Sequence, residues 1–238
     1  MRSLRLGKIF GITAELHWSF LFIIFLVLFS FAFQELESAI STGIFFFFLF
    51  LSVFLHELVH SVVSLSRGIK VRKIILLPIG GIALTEEMPE KASDEFLIAV
   101  SGPLFNFLVV IAVWLLVSLF PLPFPWGLFS GAFTMEELDT AFLNPLFAIF
   151  YVNLILGAFN LFLPALPLDG GRVLRSLLSM RIGHLKATRF VTTISSFISI
   201  MLFLIGFFAA NPILIIIAFF ILFGAKEEAH LVLSLIHI

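Results

Sequence analysis

Residues 45–66 read FFFFLFLSVFLHELVHSVVSLS, an apolar run interrupted by one short polar cluster. The run is long enough to cross a bilayer, whose hydrocarbon core takes about 20 helical residues. The cluster is His56-Glu57-Leu58-Val59-His60, and Glu57 is the only acid in the run. A carboxylate inside a membrane helix costs roughly 2.5 to 3.5 kcal/mol on insertion scales and is retained mainly for function. The stretch therefore predicts a membrane helix that contains a functional site.

The composition of the whole chain is that of a membrane protein. Of the 238 residues, 61% are hydrophobic and 12% are charged, whereas soluble domains are roughly 45 to 50% apolar. The net charge of -1 and the lack of a basic tail give no electrostatic basis for binding nucleic acid. Because the chain has no Cys, any metal site must use His, Asp, Glu or neutral oxygen ligands.

Six apolar stretches predict an all-α polytopic membrane protein with six transmembrane helices. They cover residues 16–33, 42–66, 96–120, 146–163, 190–209 and 213–224. The first is longer than a signal-peptide core and lacks a clear cleavage site, so we expect a retained membrane helix. The last two are separated by Ala210, Asn211 and Pro212, which predict a tight turn. Residues 71–84 are rich in β-branched residues and glycine, which predicts a small β-hairpin.

The distribution of basic residues predicts the orientation in the membrane. If all six stretches span, the 14 Lys and Arg residues fall on one side and none falls on the other. The loops of the opposite side carry acids, namely Glu35, Glu37, Glu136, Glu137 and Asp139. By the positive-inside rule, both termini and the β-hairpin are expected at the cytoplasmic face.

The spacing of His56 and His60 is typical of two ligands of one metal ion. Helical residues four apart lie one turn apart on nearly the same face, so both imidazoles can reach one ion. Glu57 lies beside them and can activate a water molecule at the metal. A site of two imidazoles and one carboxylate favours zinc over magnesium or calcium, whereas iron and cobalt are also compatible with these ligands. Catalytic zinc commonly takes three protein ligands, so a third ligand is expected elsewhere in the chain.

Asp169 is the predicted third ligand. It lies in the segment NLFLPALPLDGG, residues 160–171, where Pro164 and Pro167 prevent a regular helix. Irregular backbone near membrane depth is tolerated where protein buries it or where it lines a wet cavity. The alternative is that Asp169 is the N-cap of a helix that begins at Gly170.

These motifs together resemble the site-2 protease family, whose members are intramembrane zinc metalloproteases that cut transmembrane helices. The likeness covers nearly the whole chain and includes HELVH, LLPIGG at residues 76–81, Gly102-Pro103 and the segment 160–171. It implies one zinc ion bound by His56, His60 and Asp169. It also implies Glu57 as the general base and Asn160 as a stabiliser of the intermediate.

The resemblance further implies where the protein acts and on what. The expected substrates are membrane proteins cut within or near their transmembrane segments, as in regulated intramembrane proteolysis. The expected location is the cell membrane, as a multi-pass protein whose active site opens toward the cytoplasm. Some members of the family carry PDZ or CBS domains, whereas residues 1–238 are expected to form a single membrane core without either.

Other functions fit parts of the same pattern. A divalent-metal transporter also places His and carboxylate side chains inside the membrane. A non-catalytic scaffold that binds membrane helices would need no metal. Simpler interpretations also exist for single residues. His56, Glu57 and His60 could form a buried polar cluster that packs helices. Asn160 could satisfy backbone groups that the prolines leave without hydrogen bonds. Asn106 is predicted to bridge closely packed helices rather than to take part in chemistry.

Overall fold

A computed structural model describes residues 3–33, 35–77, 80–85, 89, 91–129 and 134–234. The strands are β1 Ser3–Ile9, β2 Ile12–His17, β3 Val71–Leu77 and β4 Gly80–Thr85. The helices are α1 Phe20–Phe33, α2 Leu36–Ser66, α3 Ala92–Leu119, α4 Met135–Ala141, α5 Pro145–Phe162, α6 Asp169–Ile182, α7 His184–Phe208 and α8 Pro212–Ser234, with a 3-10 turn at Trp126–Phe129. The chain divides into two compact units, one of residues 1–88 and 104–157 and one of residues 89–103 and 158–238.

The first unit contains a four-stranded sheet of order β1-β2-β3-β4. The β3-β4 hairpin confirms the prediction for residues 71–84, and its Pro78 and Ile79 lie outside the described residues. Strand β2 pairs antiparallel with β1 and parallel with β3. Neither β1 nor β2 was expected from the sequence, because their residues precede an apolar run without a turn signal that separates them from it.

The first apolar stretch begins with a strand, so its prediction as one helix over residues 16–33 is wrong at its start. Leu16 pairs with Leu4 of β1 and Leu76 of β3, and this two-sided pairing holds the backbone extended. Helix α1 begins at Phe20 and has 14 residues. At about 1.5 Å per residue it is roughly 21 Å long, which is shorter than a bilayer core of about 30 Å.

An ion pair between partly buried side chains joins β2 to β3. Lys73 Nζ lies 2.8 Å from Glu15 Oε2, and Ser3 of β1 donates a hydrogen bond to the same oxygen. The hydrogen bond from Lys73 and the one from Ser3 lower the pKa of Glu15 below its ordinary value. The carboxylate therefore stays ionised and ties three strands together.

Four of the described helices are long and apolar enough to cross a membrane. They are Leu36–Ser66, Ala92–Leu119, Pro145–Phe162 and His184–Phe208. The other two predicted spans coincide with α1 and α8, so each of the six apolar stretches lies mainly in a helix. Helix α8 begins at Pro212 and packs against α7, which confirms the predicted turn between the last two stretches.

An irregular segment separates α5 from α6. Helix α5 ends at Phe162 and α6 begins at Asp169, so the prolines at 164 and 167 interrupt the helix as predicted. Leu166 is fully buried, and its N–H donates to Ser195 Oγ of α7 at 2.8 Å. The irregular backbone is thereby packed into protein, as its apolar setting requires.

Candidate metal centre

Two imidazoles on α2 face a common point. His56 and His60 are both buried, and their Nε2 atoms are 3.0 Å apart. Zinc bonds to His nitrogen of about 2.0 to 2.1 Å in a tetrahedral site separate two ligand atoms by about 3.3 Å. The observed separation is thus close to that of two ligands of one ion. The helix supplies this geometry, since residues 56 and 60 lie one turn apart on one face.

Asp169 is the first residue of α6, and Leu168 is the N-cap of that helix. The helix thus begins one residue before Gly170, the start expected if Asp169 were the N-cap. A carboxylate in the first turn is stabilised by the positive end of the helix dipole. Glycine follows at 170 and 171, where an added Cβ would overlap backbone atoms of Leu161 and Ala165 respectively. These two glycines let the first turn of α6 pack directly on the preceding segment.

Within the described residues, one group of His, Asp and Glu side chains has the arrangement needed to hold a metal ion. It consists of His56, His60 and Asp169, whose ligand atoms all lie within 4.8 Å of one another. All three residues are buried. Two imidazoles and one carboxylate match the donor set of many catalytic zinc sites and leave a coordination position for water or substrate.

Glu57 lies against the β-hairpin. An added Cβ at Gly81 of β4 would overlap the Glu57 side chain and lie 3.0 Å from its Cδ. Glycine at this position therefore gives the carboxyl group the space that it occupies. Asn160, the predicted stabiliser of the reaction intermediate, lies two residues before the end of α5 and is half-buried.

Two residues that the sequence did not assign to the site are hydrogen-bonded to it. Asn106 Oδ1 lies 2.5 Å from His56 Nδ1, and Asn106 Nδ2 donates to Asn153 Oδ1 at 2.8 Å. Both asparagines are buried. The prediction that Asn106 only bridges packed helices is thus incomplete. The sequence signal was an amide inside an otherwise apolar span, which does not by itself distinguish packing from positioning.

Comparisons with known proteins agree with this chemistry. The sequence model described as Peptidase family M50 matches residues 44–206. The chain is 38% identical over 230 residues to the zinc metalloprotease MJ0392 of Methanocaldococcus jannaschii, covering 97% of this chain and 61% of that protein. It is 29% identical over 246 residues to the putative zinc metalloprotease Rip3 of Mycobacterium tuberculosis, covering 95% of this chain and 58% of that protein. The chain thus spans less than two thirds of these relatives.

A solved structure is also similar. The site-2 protease from Methanocaldococcus jannaschii matches with a TM-score of 0.69 and 35% sequence identity, covering 96% of this chain and 95% of that chain. The family inferred from the sequence motifs is therefore confirmed, together with a site-2 protease fold. The relatives named as zinc metalloproteases and the buried group of two His and one Asp support a zinc cofactor.

Proposed function

The chain belongs to peptidase family M50, and from this premise we propose that it is a zinc endopeptidase that cleaves membrane proteins within or near their transmembrane segments. The observation that carries the proposal is the buried group of His56, His60 and Asp169 beside Glu57. We assign the first three residues as zinc ligands and Glu57 as the general base. Asn160 is assigned as a stabiliser of the intermediate, following the family resemblance.

The proposed roles divide the chemistry between the metal and the protein. Zinc, when bound, supplies a Lewis acid that lowers the pKa of water and polarises a peptide carbonyl. The Glu57 carboxylate accepts the proton of the attacking water and later gives it to the leaving amine. His56, His60 and Asp169 supply one formal negative charge, so the site keeps a net positive charge that attracts the carbonyl oxygen. The carboxylate of Glu57 must be ionised at the start of each cycle.

A membrane location is supported by the apolar helices and by the family. We propose the cell membrane and an active site that opens toward the cytoplasm. His56 lies 11 residues before Arg67, the first basic residue after the helix, which corresponds to about 16 Å along the helix axis. Peptide bonds of substrates would therefore have to reach the site below the lipid headgroups. A helical substrate must unwind there, since its carbonyls are otherwise hydrogen-bonded and shielded.

The experiment is a cleavage assay with purified protein in liposomes and a model substrate that has one transmembrane helix. The Glu57→Gln variant should lose at least about 100-fold in cleavage rate, as expected for removal of a general base. Its zinc content should stay at the wild-type value, because Glu57 is not a ligand. Glu37→Gln is the matched control, since Glu37 lies exposed in the first turn of the same helix.

The same liposomes distinguish the other functions. Zinc flux across the membrane by wild-type protein, with no cleavage of any substrate offered, would identify a transporter and contradict the peptidase proposal. Purified protein without bound metal and without cleavage would identify a scaffold. Unchanged cleavage by Glu57→Gln would remove Glu57 from its proposed role.

A further inference from the structure

A row of hydrogen-bonded polar side chains runs from the candidate metal site through the apolar interior of the first unit. It begins at His56 of α2, continues through Asn106 of α3 and Asn153 of α5, and ends at Ser52, one turn before His56 on α2. Each of the four residues is at least nine-tenths buried. The row thus connects three apolar helices through buried polar groups.

The end of the row fixes the orientation of both amides. Asn153 Nδ2 donates to the backbone carbonyl of Ile149 at 2.8 Å and to Ser52 Oγ at 2.9 Å. A carbonyl oxygen can only accept, so the NH₂ group of Asn153 must point toward Ile149 and its Oδ1 must point toward Asn106. Asn106 therefore presents its own NH₂ group to Asn153 and its Oδ1 to His56.

The orientation of the Asn106 amide determines which nitrogen of His56 carries the proton. Asn106 Oδ1 accepts only, so the Nδ1 that faces it must be the N–H of the neutral ring. A neutral imidazole has one N–H, which leaves the lone pair on Nε2. That nitrogen is the one that faces His60. The other tautomer would set two acceptors against each other inside a buried row, where an unsatisfied polar group is costly.

We propose that Asn106, held by Asn153, is a positioning residue that fixes the ring orientation and the tautomer of His56 so that the lone pair of Nε2 is directed at the metal. The inference rests on the zinc site proposed above. Ligating histidines generally donate their second ring N–H to a neighbouring acceptor, which orients the ring and increases the basicity of the metal-binding nitrogen. Here an amide, rather than a carboxylate, is that acceptor. Its orientation depends on a residue of a third helix.

A series of four variants tests the row. Asn106→Leu removes the acceptor and should weaken zinc binding about 10- to 100-fold, measured by competition with a chelator. Asn106→Asp keeps an acceptor for His56 Nδ1 and should bind zinc at least tenfold more tightly than Asn106→Leu.

Asn153→Leu frees Asn106 to rotate and should give an intermediate loss. Ser52→Ala is the matched control: it shortens the same row, but the Ile149 carbonyl still orients Asn153, so zinc affinity should stay within about threefold.

A second measurement reads the tautomer without metal. The protein is labelled with ¹⁵N-histidine, stripped of zinc and held at a pH where imidazoles are neutral, and the His56 signals are assigned by their loss in His56→Gln. The proposal requires a protonated Nδ1 in the wild type, and a mixture of the two tautomers in Asn106→Leu and Asn153→Leu. A role of the asparagines in helix packing alone would lower thermal stability without changing either zinc affinity or the tautomer.

The outcomes separate this inference from the proposed function. Zinc affinity in Asn106→Leu within twofold of wild type, or a wild-type His56 protonated at Nε2, would overturn the positioning role while leaving the peptidase proposal intact. Wild-type protein that binds no zinc would overturn the peptidase proposal, and the tautomer would still be decided by the nitrogen signals. If Asn106→Leu does not fold, the wild-type tautomer and the Asn153→Leu variant decide the question.

Discussion

Among single residues, Gly81 leaves open the space that the Glu57 side chain occupies. Gly81→Ala would place a methyl group in the volume of that side chain, so the carboxyl group must move. A displacement of about 1 Å at a reacting group can cost on the order of 100-fold in rate. We expect Gly81→Ala to lose about 10- to 100-fold in cleavage rate with unchanged zinc content.

The control for this variant is Gly43→Ala in α2, where an added Cβ meets no atom within 4 Å. It should leave cleavage unchanged. Equal rates for Gly81→Ala and wild type would show that the hairpin does not constrain the base.

The sequence predicts a contact between two site residues best when both lie in the same helix. The relation of His56 to His60 comes from helix periodicity alone, so the sequence predicts it. The proximity of Asp169 was a hypothesis based on its apolar surroundings, its nearby prolines and the lack of other candidates. The contacts of Asn106 and Asn153 join residues 47 and 50 positions apart. Such contacts depend on helix packing, which no single stretch of sequence specifies.

Among the elements, α1 is the one whose relation to the membrane is least typical. It has 14 residues, yet β2 before it and β3 after α2 are parallel neighbours in one sheet. The chain must therefore leave that sheet and return to it through α1 and α2. We expect two crossings of the membrane, with α1 accommodated by local thinning of the bilayer or by its flanking residues.

Labelling of introduced cysteines tests this expectation. The chain has no Cys, so single substitutions give an unambiguous signal. A membrane-impermeant thiol reagent added to intact cells should label Glu35→Cys, which lies between α1 and α2. It should not label Lys70→Cys, which lies between α2 and β3, until the cells are opened. Labelling of Glu35→Cys only in opened cells would mean that α1 does not cross.

Element types were easier to predict than element boundaries. Long apolar runs form helices, two prolines mark the irregular segment between α5 and α6, and β3 and β4 form the hairpin predicted for residues 71–84. Strands β1 and β2 are not predicted because both are short and depend on pairing with each other and with a distant strand. Leu16 is held in extended conformation by pairing with Leu4 on one side and with Leu76, 60 residues away, on the other.

Across the whole molecule, contacts within each unit join segments that the charge distribution assigns to the same side of the membrane. In the first unit, Ser41 near the start of α2 donates to Asp139 of α4, and both belong to the acidic side. In the second unit, buried Arg175 of α6 binds Glu95 of α3 and Glu228 of α8, all at the basic side. The positive-inside rule and the packing are thus consistent within both units.

The central claim is that one zinc ion is bound by the two imidazoles of α2 and by the carboxylate of Asp169 in α6. The most direct measurement is X-ray absorption at the zinc edge, together with metal content, on the purified wild type, on Asp169→Ala and on the control Glu227→Gln, whose side chain is exposed. We predict about one zinc per chain with two His nitrogens at about 2.0 to 2.1 Å and oxygen in the remaining positions. Asp169→Ala should lose most of its zinc under conditions in which Glu227→Gln keeps it. Full zinc content in Asp169→Ala with an unchanged absorption spectrum would contradict the account.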